Sequence, residues 1–120
     1  FDISTKAAFH GCSALTITAT DAPTISTTDF DEGFQGCTSL TGIGDSAAEW
    51  DVSSVTTMGG MFYGTAFNQD IDDWDVGEVT YMGSMFGANA VFNQNLGCWD
   101  VSENRSTSNM FDGCHISIRI

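Results

Sequence analysis

Apolar positions in this chain recur in blocks, not along one continuous stripe. Trp50, Trp74 and Trp99 stand 24 and 25 residues apart. Met61, Met85 and Met110 keep the same steps, each followed by Phe (Phe62, Phe86, Phe111), and so do Val52, Val76 and Val101. The stretch FNQDIDDWDV (Phe67–Val76) returns as FNQNLGCWDV (Phe92–Val101). The front half carries a related unit: FHGCSALTI from Phe9 and FQGCTSLTGI from Phe34 are again 25 apart, and FDGCHISI from Phe111 belongs with them. Ordered echoes of this length mark a repeat architecture, in which a unit too small to bury its own apolar flank buries it against its neighbours.

Inside one unit the pattern predicts two kinds of element. Alternation across Trp-Asp-Val predicts a short strand with Trp and Val inward and Asp outward. Met58/Met61/Phe62 and Met82/Met85/Phe86, at steps of three and four, predict a short helical turn facing the core. Gly59, Gly60 and Gly83 hold that helix to a turn or two. Phe67 and Phe92 then reach into the core as the chain bends toward the next strand. Leu96-x-x-Trp99-x-Val101-x-x-Asn104 fits the leucine-rich pattern with Trp in one Leu slot; Ile71 to Val79 and Ala47 to Val55 keep the same spacing.

The expected fold class is therefore an α/β repeat: a leucine-rich-repeat-like right-handed solenoid of about five 24–25-residue coils. A parallel sheet, its strands about 4.8 Å apart, would form one face and short helical turns the other. Residues 1–120 read as one such solenoid, or as a stretch of a longer array. Its front coils (1–49) carry Phe-x-Gly-Cys and its later coils (50–120) carry Trp-Asp-Val and Met-Phe. The long segment GIGDSAAEW before Trp50 predicts a bulging loop where the two types join. Thr107 and Asn104, in slots held elsewhere by Met and Val, predict a looser last coil.

Composition narrows the functions such an array can serve. The 120 residues are 42% hydrophobic, enough for a core, and 3 basic residues face 16 acidic ones for a formal charge of −13. That balance disfavours nucleic acid and anionic membrane, which both call for a basic surface. No apolar run approaches the roughly 20 residues of a membrane helix. The opening FDISTKAAFHGC lacks the basic and apolar regions of a signal peptide. His10 and His115 fall on the first and last coils, about 19 Å apart at that strand spacing, and there is no CxxC or HExxH. With the tryptophans turned inward, no aromatic cleft for a glycosidase is evident. The expectation is a non-enzyme, with an acidic hydrolase as the weakest alternative.

The segment WDVSSVTTMGGMFYGTAFNQDIDDWDV resembles the repeats of mycoplasma-type surface lipoproteins. AFHGCSALTI and DEGFQGCTSLTGI resemble the related BspA-type leucine-rich repeat. Together the two patterns run from about Ala8 to Gly113. The resemblance implies a leucine-rich-like fold and adhesion or partner binding at a cell surface, and it brings no catalytic residues with it.

The outward positions supply the candidate chemistry. Asp51, Asp75 and Asp100 occupy one slot on three successive units, with Glu49 and Asp73 beside them. Carboxylates about 5 Å apart raise one another's pKa unless a cation or basic group lies between them. One reading is a face tuned to calcium or to a basic partner; the other is an Asp that caps a loop in every repeat. Asn68/Gln69 and Asn93/Gln94 read as structural amides satisfying backbone groups. Cys12 and Cys37 share a slot on adjacent units, within disulfide reach. They form either a bond suited to an oxidising compartment or a buried reduced pair. Cys114 takes the same kind of slot at the far end, and Cys98 reads as an exposed thiol. HISIRI alternates Ile116, Ile118 and Ile120 like a strand just begun, and Phe1 starts without a visible cap, so the expectation is either that the natural protein continues or that the chain is embedded against other subunits.

These features describe a non-enzymatic module of a surface or secreted protein that binds other proteins or glycans through an acidic sheet face. It would need no cofactor unless the acidic column takes calcium. The alternative is a structural subunit of a larger assembly, in an organelle lumen, bound through its uncapped ends.

Overall fold

The residues that carry the period are the ones the chain buries. The computed structural model describes residues 2–102. Within them Trp50, Trp74, Trp99, Val52, Val76, Met58, Met61, Met82, Met85, Phe62 and Phe86 are each at most 5% exposed. They are buried against their own counterparts. Phe9, Phe34, Phe62 and Phe86 form one column, with ring centroids 5.3, 5.6 and 5.8 Å apart and planes within 13°. Phe67 and Phe92 form a second column at 6.1 Å, and each stacks on the first at 4.0 Å, on Phe62 and Phe86 respectively. Trp50 lies on Trp74 at 6.3 Å. A buried aromatic side chain contributes roughly 1.5–3 kcal/mol, and a stacked pair about 0.5–1.5 kcal/mol more. These columns are the core.

The backbone joins the same slots. The N–H groups of Phe30, Glu32, Phe34 and Gly36 donate to the carbonyls of Thr57, Gly59, Met61 and Tyr63 at 2.8–2.9 Å. Those of Met58, Gly60, Phe62 and Gly64 donate onward to Tyr81, Gly83, Met85 and Gly87, each at 2.9 Å. Elsewhere in the repeat the direction reverses, and the N–H groups of Thr56 and Thr80 donate back to Thr28 and Thr56 at 2.8 Å. Residues one period apart are thus neighbours in space.

The solenoid expectation nevertheless fails, and the molecule is a compact globule made almost wholly of turns. Among the described residues its regular structure is a parallel pair of two-residue strands, β1 (Asp2–Ile3) and β2 (Thr24–Ile25), with Asp2 opposite Thr24. Three isolated parallel bridges (Ile17–Ile43, Asp29–Thr57, Thr57–Tyr81) and one 3-10 turn (Ala47–Glu49) complete it. Among the described residues there is no α-helix and no broad sheet. A radius of gyration of 12.8 Å and extents of 30 × 28 × 21 Å match a compact domain of about 100 residues.

Both failures have a local cause. The Trp-Asp-Val segments spend their N–H groups within the repeat: Trp50, Trp74 and Trp99 donate three residues back to Ala47, Ile71 and Leu96. Val55 and Val79 donate likewise to Val52 and Val76, so the residues that open and follow each segment bond within their own repeat rather than across a ladder. The Met-Phe segments cannot wind into helix because two slots in each take a left-handed backbone. Ala7, Glu32, Gly60 and Ser84 share the first slot with φ of 54, 59, 63 and 58°, and Gly11, Gly36, Gly64 and Ala88 share the second with φ of 75, 78, 70 and 53°. A left-handed residue ends a right-handed helix. Alternate residues then bond to the next repeat, while those between them donate three back, as Gly33, Gln35 and Cys37 do to Phe30, Glu32 and Phe34.

The segment before Trp50 is tied back to the preceding repeat and ends in the 3-10 turn, where Ala48 and Glu49 are exposed. Asp45 N–H donates to Ala19 (3.2 Å), Ser46 Oγ donates to Thr20 (2.5 Å), and Ala47 is buried. The amides bind backbone as expected: Gln69 accepts from Ile43 N–H at 2.6 Å and donates to Gly44 at 3.0 Å, and Asn68 accepts from Asn93 N–H at 3.1 Å. The expectations for Phe1, Asn104, Thr107, Met110, Phe111, Cys114, His115 and the HISIRI strand lie outside the described residues.

Candidate functional site

The ladder Asp29–Thr57–Tyr81 sets the edge of a groove across three repeats. Asp31 follows, its half-buried carboxylate accepting from Thr57 Oγ1 (2.5 Å) and from Gly59 N–H (2.6 Å). One oxygen of Asp31 is thereby committed, and the side chain is fixed against the next repeat. Glycines form the floor, and a ring lies on them. A methyl group built on Gly59 would stand 2.2 Å from the Tyr81 ring, and one on Gly83 would stand 2.4 Å from its hydroxyl. Tyr63 covers Gly87 in the same way, at 2.7 Å. Gln35 reaches over Gly60, its Oε1 3.1 Å from where a methyl group on that glycine would stand. The space among these residues is about 330 Å³, also lined by Glu32 and Ser84. That volume falls at the lower end of small-ligand sites.

Both tyrosines of the chain meet here, 40% and 43% exposed, while the phenylalanines that repeat beside them are buried. Glu32 is exposed, with its Oε2 4.0 Å from His10 Nε2. Glu32 and Ser84 hold left-handed backbone without being glycine. Two aromatic rings, two carboxylates and an amide around one groove can receive a flat or cationic group. None of these groove residues reads as a site in the sequence; Gly59, Gly60 and Gly83 read there only as limits on a helix. The available signal was a break in the repeat: Tyr81 stands where Thr57 stands one unit earlier, and Tyr63 where Gln35 and Gly87 stand in its neighbours.

The acidic column is exposed at Asp51, Asp75 and Asp100, and Glu49 and Asp73 are exposed beside it. Each column carboxylate closes its own turn: Asp51 accepts from Ser53 N–H, Asp75 from Gly77 N–H and Asp100 from Ser102 N–H, all at 3.0 Å. Mutual repulsion was expected to raise their pKa values, and at two of them the reverse holds. The Ser53 hydroxyl and N–H hold Asp51 below the usual carboxylate range, and the Ser102 N–H and hydroxyl do the same for Asp100. Among the described residues no group of three or more His, Cys, Asp or Glu lies together as a metal ion would need.

Cys12 and Cys37 are free thiols, the first exposed and the second buried. Cys37 Sγ donates to the Phe9 carbonyl at 3.0 Å, and burial pushes its pKa up against the lowering effect of the Cys12 N–H. Cys98 is exposed; hydrogen bonding to Asp72, with the charges of Asp72, Asp73 and Asp70, raises its pKa. No described helix is long and apolar enough to cross a membrane.

Compared with known proteins, residues 3–117 match a family model described as "Mycoplasma protein of unknown function, DUF285". No curated protein and no solved structure matches the chain.

Proposed function

The chain belongs to this Mycoplasma repeat family, and on that footing we propose that it is a non-enzymatic binding module for protein or glycan partners, acting at a cell surface or outside the cell. The observation that carries this reading is the groove. A chain with two tyrosines holds both, half-exposed, in one groove beside Asp31, Glu32 and Gln35. Exposed aromatic rings backed by rigid structure are what binding surfaces use, because they offer contact area at low entropic cost. The BspA-type likeness of the front repeats belongs to the same reading. The acidic column is the lesser candidate, since one oxygen of each carboxylate already closes a turn.

The test is a pull-down from surface and soluble fractions, together with a glycan array. It compares the native chain with a Tyr63→Ala/Tyr81→Ala variant and an Asp51→Asn/Asp75→Asn/Asp100→Asn variant, all matched for folded content. Loss of partners in the tyrosine variant alone is the expected result. Loss in the aspartate variant alone moves the site to the acidic column. Retention by both removes each face and leaves the assembly-subunit reading, with binding through the ends.

A further inference from the structure

We infer that the tyrosine groove receives an arginine side chain of a partner protein. This rests on the binding-module reading and specifies its ligand. Three properties of the groove select that group. The first is sign: Asp31 and Glu32 line a site on a chain of formal charge −13, so an anionic ligand is repelled and a cation is drawn in from a distance. The second is the π surface. Tyr63 and Tyr81 are the large exposed aromatics of the described region, and a cation over a tyrosine face is attracted by the ring quadrupole. The third is geometry. Asp31 Oδ1 is held by Thr57 and Gly59, so its second oxygen is presented from a fixed side chain, while Glu32 stands exposed at the rim with Oε2 4.0 Å from His10 Nε2. A guanidinium is planar, stacks on an aromatic ring and forks onto carboxylate oxygens; a lysine ammonium is a compact, strongly hydrated charge that cannot stack.

The groove is shaped before the ligand arrives. Tyr81 rests on Gly59 and Gly83, and any side chain at either position would strike the ring. Ligand binding therefore does not have to order Tyr81, which favours affinity from few contacts. The volume of about 330 Å³ takes one arginine side chain and the backbone around it, not a folded domain. A single side chain binds weakly, so tight association comes from a partner presenting several arginines or from further contacts outside the groove.

The experiment is an NMR titration of the full chain, following the ring protons of Tyr63 and Tyr81. The probes are N-acetyl-arginine amide, N-acetyl-lysine amide, N-acetyl-norleucine amide and N-acetylglucosamine. The expected result is saturable ring shifts with the arginine amide at millimolar concentration, several-fold weaker with the lysine amide and absent with the norleucine amide. The arginine response falls as salt is raised, because the rim carboxylate is screened. Glu32→Gln, at an exposed position, weakens binding about threefold, and Tyr81→Ala about tenfold. Asp31→Asn alone is not decisive, since it disturbs two inter-repeat hydrogen bonds; Glu32→Gln keeps the fold and still removes charge. Equal shifts with the norleucine amide overturn the assignment by making the contact merely apolar. Shifts with N-acetylglucosamine but not with the arginine amide overturn it while leaving a binding module. No ring response to any probe overturns the arginine assignment, while the binding-module reading stands or falls by the pull-down.

Discussion

At the residue scale, the repeat is a record of which slots the backbone constrains. Gly11, Gly36 and Gly64 hold one left-handed slot, and Ala88 holds it in the following unit with φ of 53°. A Cβ in that conformation costs about 1–2 kcal/mol, partly offset by the greater freedom of glycine in the unfolded chain. Ala88→Gly is thus expected to stabilise the protein by roughly 0.5–1 kcal/mol, read as a rise in urea midpoint without a change in slope. A fall in midpoint would mean that the slot is not left-handed in solution. The same slot logic explains the aspartates. Asp51, Asp75 and Asp100 recur because each unit must satisfy an N–H two residues on, as Asp readily does in turns.

At the element scale, the unit of stability is the aromatic column rather than a strand or helix. Phe62 is fully buried and touches Phe34, Phe67 and Phe86 at centroid distances of 5.6, 4.0 and 5.8 Å. It joins both columns at the middle of the molecule. Phe62→Ala removes these contacts and opens a cavity, with an expected cost of about 3–5 kcal/mol. In a domain whose total stability is on the order of 5–15 kcal/mol, chemical denaturation should show a large fall in midpoint. A loss below 1 kcal/mol would show that the columns do not hold the fold. Polar groups between columns are satisfied as well: Trp74 and Trp99 donate their indole N–H to Ala47 and Ile71 at 2.7 and 2.9 Å, and buried Asn89 donates to Phe67 at 2.9 Å.

At the scale of the whole molecule, Cys37 reports on global opening. Its side chain is buried in the core beside the Phe9–Phe34 stack, and burial raises its pKa above the ordinary thiol value of 9.0. A folded-state pKa raised above the unfolded one stabilises the fold below the unfolded value. That contribution is lost as pH rises through the folded value, so the window is alkaline, above about pH 9. In a Cys12→Ser/Cys98→Ser/Cys114→Ser variant under reducing conditions, alkylation of Cys37 should be slow at pH 8. It should accelerate in step with denaturant-induced unfolding. Alkylation at the rate of a free cysteine in native buffer would contradict the burial.

The sequence by itself determined the period and the identity of the core, because these follow from residue types repeated at fixed spacing. Trp, Met, Phe and Val at recurrent positions must be buried together whatever the backbone does, and Asn68, Gln69 and Asp51 carry local hydrogen-bonding habits that act over two residues or one repeat. The tertiary structure alone decided the backbone path and the groove. Trp-Asp-Val alternates like a strand and Met-x-x-Met-Phe steps like a helix, yet donors spent three residues back and left-handed Glu32 and Ser84 prevent both. Local periodicity says which side chains share a face but not where each N–H finds its acceptor. Likewise Tyr63 and Tyr81 are 18 positions apart in the chain, and only the stacking of repeats brings both to the same groove.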